Sequence, residues 1–244
     1  MPQPHLKIDE IDKHVILLSG DPEMEVTVLK HLEQVRHISD NKGYKTFRGK
    51  YNGVGVSVVS TGIGCPSAAI AIEELAYLKP EIIIRVGTCG GLLREMDSGS
   101  IVIPKGALCY DGTTKEYDSK VTNTEASVDV FSSLSENAQQ LGVKYFTGIN
   151  RTHDAFYEPM ENFTKLSGKE LVSSEMECSA VFYVSRLRNI KAGAVLIVNT
   201  PEPPEDVAKD PSILYKLVDE NKVNLGRENA VKIALDTLQH FGSL

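Results

Sequence analysis

Residues 54–91 read VGVSVVSTGIGCPSAAIAIEELAYLKPEIIIRVGTCGG, and this stretch decides the architecture. Val54–Ser60 alternates like a strand and is rich in β-branched residues. Thr61-Gly62-Ile63-Gly64 is a turn, and Cys65-Pro66 puts proline where a helix starts. Ala68, Ala69, Ile72, Leu75 and Ala76 then share one helical face until Lys79-Pro80 ends it. Glu81–Val86 is the next strand and runs into Gly87-Thr88-Cys89-Gly90-Gly91. Strands alternating with helices predict an α/β layered domain.

The same pattern extends both ways. Val15–Leu18 is a short buried strand ending in Ser19-Gly20-Asp21-Pro22, followed by a helix on which Val26, Leu29, Lys30 and Glu33 give a mixed face. Tyr44–Lys50 and Val54–Ser60 flank Asn52-Gly53, a strong hairpin signal, so the sheet is mixed rather than wholly parallel. Downstream, Ser100–Pro104 is a strand, 106–124 read as surface loops, 125–141 as a helix and 143–149 as a strand. A helix from about Glu175 to Arg188 would bury Met176, Ala180, Val184 and Leu187. Gly193–Val198 is a strand, Pro201–Asp206 a loop, and Val231, Ala234, Leu235 and Leu238 mark a last helix. No repeat or linker divides the chain, so residues 1–244 are expected to form a single domain.

Composition narrows the function classes. Apolar residues make up 41% and charged residues 24%, as in ordinary globular proteins, which argues against disorder, collagen and coiled coil. The net charge of −7 is repulsive on average to nucleic acid and anionic membrane, although a local cationic pocket for a small anion is allowed. No apolar run approaches the roughly 20 residues that span a bilayer, and MPQPHLKIDE lacks a signal-peptide core. Cys65, Cys89, Cys109 and Cys178 are scattered, with neither CxxC nor zinc spacing, and read as reduced core thiols in a cytoplasmic protein without a metal.

Chemistry in such folds gathers at the carboxyl ends of strands. Gly62–Ser67 nearly matches a dinucleotide fingerprint, but Ser67 replaces the third glycine and no acidic residue ends the following strand. Arg85 is more informative, because it sits inside the apolar run Ile82–Val86 two residues before a glycine. A charge there needs a partner. It is either one half of a structural ion pair or a fixed guanidinium for phosphate, with the Thr88 hydroxyl completing an anion site. Ser174 and Glu177 have capping-box spacing, which needs no function; the alternative is a carboxylate that accepts bonds from a sugar diol. No serine–histidine–aspartate order, HExxH or paired carboxylates stands out, so nucleophilic side-chain catalysis is not indicated.

Five segments occur together and in order: Gly20-Asp21-Pro22, Ser60–Ser67, Arg85–Gly90, Asp154–Tyr157 and Glu175–Cys178. In this the chain resembles the nucleoside phosphorylase superfamily, most of all its uridine phosphorylase and hexameric purine nucleoside phosphorylase branch. The resemblance implies a mixed sheet partly closed as a barrel and flanked by helices. It also implies a trimer of dimers with active sites shared across each dimer, and a place in nucleoside salvage. The reaction implied is reversible phosphorolysis, in which phosphate attacks the anomeric carbon through an oxocarbenium-like state and the base leaves. Inorganic phosphate is then a co-substrate and no cofactor is needed.

By the same resemblance Gly20, Arg85 and Thr88 hold phosphate, and Lys42 stands where an arginine usually reaches in from the neighbouring subunit. Met176 and Glu177 contact ribose, and His5 reaches the 5′-hydroxyl of the adjacent subunit's ribose. Cys89, Gly90, Phe156, Met160, Asn162 and Glu175 surround the base, with Glu175 better suited to holding the loop or a water. Arg85, Glu177 and Asn199 form the catalytic set. The chain also departs from the pattern. Met24 replaces the arginine of the first loop, so an arginine restored there should tighten phosphate. Met160 and Asn162 replace the glutamine and arginine that read uracil. Asn199 replaces the purine branch's aspartic acid, and an amide cannot supply its proton. A uridine-like substrate is favoured over a purine. Hydrolysis of a nucleoside is the second reading, supported by Met24 and Glu25. Non-catalytic nucleoside binding is the third, and a dinucleotide-dependent oxidoreductase ranks far below.

Overall fold

The computed structural model describes residues 3–215 and 218–243. Its strands are β1 (His14–Leu18), β2 (Glu33–Asn41), β3 (Tyr44–Tyr51), β4 (Val54–Ser60), β5 (Ile82–Gly91), β6 (Ile101–Cys109), β7 (Asn123–Glu125), β8 (Tyr145–Thr152), β9 (Leu171–Glu175) and β10 (Lys191–Pro201). Its α-helices are α1 (Pro22–Leu29), α2 (Cys65–Ala76), α3 (Gly112–Tyr117), α4 (Val128–Gln140), α5 (Met160–Thr164), α6 (Cys178–Leu187), α7 (Pro204–Val207) and α8 (Glu220–Gly242). A 3-10 turn spans Pro211–Tyr215.

The strands form one mixed sheet in the order β10-β6-β8-β9-β5-β1-β4-β3-β2, with β7 beside β6. An additional pairing of β10 with β5 closes β5, β9, β8, β6 and β10 into a five-stranded barrel. β1 lies between β4 and β5, parallel to both. The β2–β3–β4 meander is antiparallel and forms the other end of the sheet.

Period-2 alternation places the core. Val15 and Leu17 of β1 join Ile83 of β5 in a layer with Ala68 and Ile72 of α2 and Val181 and Val184 of α6. Ile16 and Leu18 join Ile82, Ile84 and Val86 in the opposite layer, against Val130 and Leu134 of α4 and Val231 and Leu235 of α8. Every residue of β1 is buried, as expected for a central parallel strand covered on both faces. Each fully buried Val, Leu or Ile contributes about 1.5–3 kcal/mol.

Several boundaries differ from the sequence expectation. β5 does not stop at Val86 but continues through the glycines to Gly91, hydrogen-bonded to β10 and β9. Residues 106–124 are not all loop: β6 runs on past Pro104 to Cys109 with a register shift, and α3 and β7 follow. Proline inside a strand is tolerated at such a bulge. Ser174 lies in β9, and α6 starts only at Cys178, so the capping box does not form. Met176 therefore precedes the helix, and Leu187 is 42% exposed rather than buried. The expected loop 201–206 contains the start of α7.

Candidate active site

Arg85 is the largest fully buried side chain of the protein among the described residues, at 2% exposure. β5 holds its backbone between Leu17 of β1 and Ala194 of β10. The guanidinium turns back along its own strand and lies over Gly87, where a Cβ would run into it. Nε donates to Glu175 Oε2 at 3.0 Å, Nη2 to Glu177 Oε2 at 2.6 Å, and Nη1 to Ser19 Oγ. Burial opposes the charge, but Glu177 and Glu175 outweigh it and raise the pKa. A second N–H on Nη1 is not used by these bonds. The two sequence readings of Arg85 thus meet in one geometry: the ion pair exists, and a donor is left over.

Glu175 ends β9 and is saturated with donors. Besides Arg85 it accepts from Asn150 Nδ2 and Thr152 Oγ1, both at 2.7 Å, and from the backbone N–H groups of Glu177 and Cys178 at 2.8 and 2.9 Å. Burial pushes its pKa up, but Arg85, the Thr152 hydroxyl and the two N–H groups reverse this and hold it low. The last two donors are those of the α6 N-terminus, where a carboxylate is favoured. Glu175 holds the loop. Its oxygens face these five groups, which agrees with holding the loop more readily than with a contact to the base.

Glu177 is the N-cap residue of α6. Its Oε1 accepts from the Gly64 N–H at 2.6 Å, so the Gly62–Ser67 turn is tied to the glutamate pair instead of opening to a pyrophosphate. Gly62 N–H is likewise taken, by Ser67 Oγ at 3.0 Å. Burial and Glu175 raise the Glu177 pKa against the pull of Arg85. With both glutamates ionised, the cluster carries one negative charge in excess of its arginine.

Around this cluster lie the other residues assigned to phosphate and ribose. Gly20 follows Ser19 with φ +73°, a conformation open to glycine. Thr88 is half-buried on β5, and its hydroxyl has no partner among the described residues. Met176 is half-buried between the two glutamates. Met24 is 1% exposed and packs in the apolar layer with Ile16 and Val28. Burial sets a cost beside the expectation that an arginine there would tighten phosphate, because the charge would enter the core. Met24→Arg should destabilise the fold by ~2 kcal/mol or more, read as a lowered thermal midpoint. An unchanged midpoint would mean that the side chain escapes toward the Gly20 loop.

His5 and Lys42, the residues assigned to a neighbouring subunit's site, come together on one surface. His5 Nδ1 is 2.7 Å from Glu74 Oε1, and its carbonyl accepts from Asn41 Nδ2 at 2.7 Å. Lys42 is exposed in the β2–β3 turn right after Asn41.

The expected base contacts are brought together less well. Phe156 is 71% exposed and meets Tyr157 edge-on, with ring centroids 5.0 Å apart. Met160 packs on the small apolar cluster of Leu92, Phe163, Leu166 and Val207. Asn162 is exposed, and its amide oxygen accepts from Lys165. No described contact joins Met160 or Asn162 to the arginine cluster. Asn199 is also displaced. A register shift between Val198 and Thr200 sets it out of the β10 ladder. It lines a cavity of about 410 Å³ with Arg94, Ser98, Thr200, Asp206 and Ile213, none of them a predicted site residue. Cys89 is buried, and burial, Glu175 and Glu202 push its thiol well above the ordinary range, so it is no thiolate nucleophile.

Four contributors were not found from sequence. Asn150 and Thr152 on β8 hold Glu175, and Ser19 holds Arg85. Each is an ordinary polar residue beside an apolar strand, and only the closed barrel brings β8 next to β9. The fourth is Glu202, whose carboxyl lies over Gly90.

A mixed sheet half-closed as a barrel, with a buried arginine clamped between two glutamates beside its glycine-rich strand end, defines an α/β enzyme scaffold. Residues 14–238 match the model of the phosphorylase superfamily. The chain is 34% identical over 199 residues to a guanosine phosphorylase of Halorubrum lacusprofundi, covering 81% of this chain and 83% of that protein. It is 34% identical over 197 residues to a uridine phosphorylase of Thermococcus kodakarensis, covering 75% and 71%. The solved purine nucleoside phosphorylase of Toxoplasma gondii, in complex with immucillin-H, superposes with a TM-score of 0.89 at 29% identity, covering 100% of this chain and 98% of that one. The chain belongs to the phosphorylase superfamily.

Proposed function

We propose that this protein catalyses reversible phosphorolysis of a nucleoside, giving free base and pentose 1-phosphate, and is thus a pentosyltransferase. The observation that carries the reading is Arg85, buried inside the apolar part of β5, clamped by Glu175 and Glu177, with one N–H to spare on the nitrogen that meets Ser19. An oxocarbenium-like transition state needs an anion on one side and fixed hydroxyl contacts on the other, more than it needs a protein nucleophile. Arg85, Thr88 and Gly20 serve the phosphate, and Glu177 and Met176 serve the sugar. Guanosine, uridine and purine nucleoside phosphorylases all occur among the relatives. A uridine-like substrate therefore remains the first choice, with a purine nucleoside second.

The excess negative charge of the cluster calls for an outside cation. Lys42, exposed next to His5, supplies it if a second copy brings that surface to the pocket. This supports a dimer with shared sites, repeated as a hexamer. No cofactor beyond inorganic phosphate is required. No described helix is long and apolar enough to cross a membrane, and a cytoplasmic salvage role fits the composition and the buried free cysteines.

Hydrolysis is the second reading. It is favoured by the pairing of Arg85 with two carboxylates and by the buried Met24. Uridine, guanosine and inosine incubated with and without phosphate separate the two. Phosphorolysis predicts base release that rises with phosphate and a sugar phosphate product. Equal release without phosphate selects the hydrolase.

A further inference from the structure

The leaving base gains most from a proton, which the Asn199 amide cannot release and the buried Cys89 thiol holds too tightly to give. The structure offers another group. Glu202 follows the last residue of β10, and its N–H donates to the Gly91 carbonyl at 2.7 Å. That bond fixes the residue against the end of β5. Its side chain folds over the bare backbone of Gly90, filling the space a Cβ would take. Gly90 and Thr88 are two residues apart on one strand and so present the same face. The Glu202 carboxyl therefore shares the face of β5 that carries Thr88, the hydroxyl assigned to phosphate. It makes no hydrogen bond among the described residues.

The groups facing Glu202 are few. Glu158, before α5, and Arg151, on β8, are its charged neighbours, and the Cys89 thiol of β5 is the third titratable group. Arg151 is already committed to Glu158 through two bonds of 2.6 and 2.7 Å. It therefore does little to stabilise a second carboxylate. Burial and Glu158 push the Glu202 pKa up to about 8, against the weaker pull of Arg151. The direction of the shift favours the protonated carboxyl, which is a donor.

We propose that Glu202 is the residue that protonates the departing base. The proposal rests on the phosphorolysis reading. A phosphate oxygen bonds to C1′ while the C1′–N bond breaks and its electron pair passes to the base. The carboxyl proton of Glu202 moves to an acceptor atom of that base, leaving a carboxylate. The proton released by the phosphate passes to solvent, and solvent restores the carboxyl, so the cycle closes without another reactant. Ionisation of Glu202 removes the donor, so turnover of ordinary nucleosides falls as pH rises through about 8.

The test compares wild type, Glu202→Gln and Glu202→Ala on guanosine, uridine and 7-methylguanosine with phosphate, across neutral to alkaline pH. The alkylated purine leaves as a neutral species and needs no proton. Glu202→Gln keeps the shape and neutral charge, so it should melt like wild type. It should lose about 10²-fold in kcat on guanosine or uridine, lack the alkaline limb, and keep wild-type kcat on 7-methylguanosine. Glu202→Ala should show the same selectivity. The proposal is overturned if both variants retain kcat and the alkaline limb, or if they lose equally on all substrates, which would make Glu202 merely structural. If wild type releases no base with phosphate from any nucleoside, it is the phosphorolysis reading that fails.

Discussion

Arg85→Ala is expected to lower phosphorolysis by about 10²-fold or more, because a preorganised cation opposite the incoming phosphate is removed from a water-poor site. What base release remains should no longer depend on phosphate. The geometry gives a second consequence. Glu175 and Glu177 are both buried, and losing their shared guanidinium leaves like charges facing each other. Breaking a buried pair in this way costs about 3–5 kcal/mol. Arg85→Lys separates the two effects. It keeps the charge but loses the planar fork that reaches Glu175, Glu177 and Ser19 together. It should fold better than the alanine variant while still requiring more phosphate for half-maximal rate. Initial rates against phosphate concentration, with a thermal melt on each sample, read both. An alanine variant with wild-type phosphate dependence would place the anion elsewhere.

Glu175→Ala should destabilise the fold as strongly as the loss of Arg85, by about 3–5 kcal/mol. Five donors lose their acceptor at once: Arg85, Asn150, Thr152 and two N–H groups at the start of α6. Glu175→Gln keeps the volume but must present an amide N–H to groups that are themselves donors, so it should also be destabilised. The pH dependence has a definite sign. The Glu175 pKa is held below its ordinary value, so its contribution is present above the ordinary carboxylate range. It is lost as pH falls through the lowered value. Denaturant unfolding from neutral to acid pH should show wild type losing stability where the glutamine variant loses less. Parallel acid limbs would show that Glu175 is not the group responsible.

Much of the fold was legible because it is written in apolar periodicity. Val15–Leu18 and Ile82–Val86 are continuous apolar runs, and the structure buries them as neighbouring parallel strands. The hairpin at Asn52-Gly53 has positive φ at both residues, as its sequence demands. β2 was missed for the opposite reason: it is exposed along nearly its whole length, so no buried face leaves a pattern in Glu33–Asn41. The end of β5 was cut short because glycines read as a turn, whereas here they let Arg85 and Glu202 lie flat against the strand.

The site was legible where residue type betrays cost. A charge inside Ile82–Val86 can only be explained by partners, and Glu175 and Glu177 are those partners. The base end was less legible. Met160, Asn162 and Asn199 were placed by analogy of position; the first packs on a small apolar cluster, the second bonds Lys165, and the third lies at a register shift of β10. Glu202 lay hidden in a proline-rich segment whose only visible property was that it could not continue a strand.

The account stands on phosphate being a reactant. Base release from uridine, guanosine and inosine, measured with purified protein over a range of phosphate concentration and with phosphate rigorously removed, tests it most directly. The account predicts saturable dependence on phosphate and a stoichiometric pentose 1-phosphate. Undiminished release in phosphate-free buffer, with free pentose as product, would contradict it.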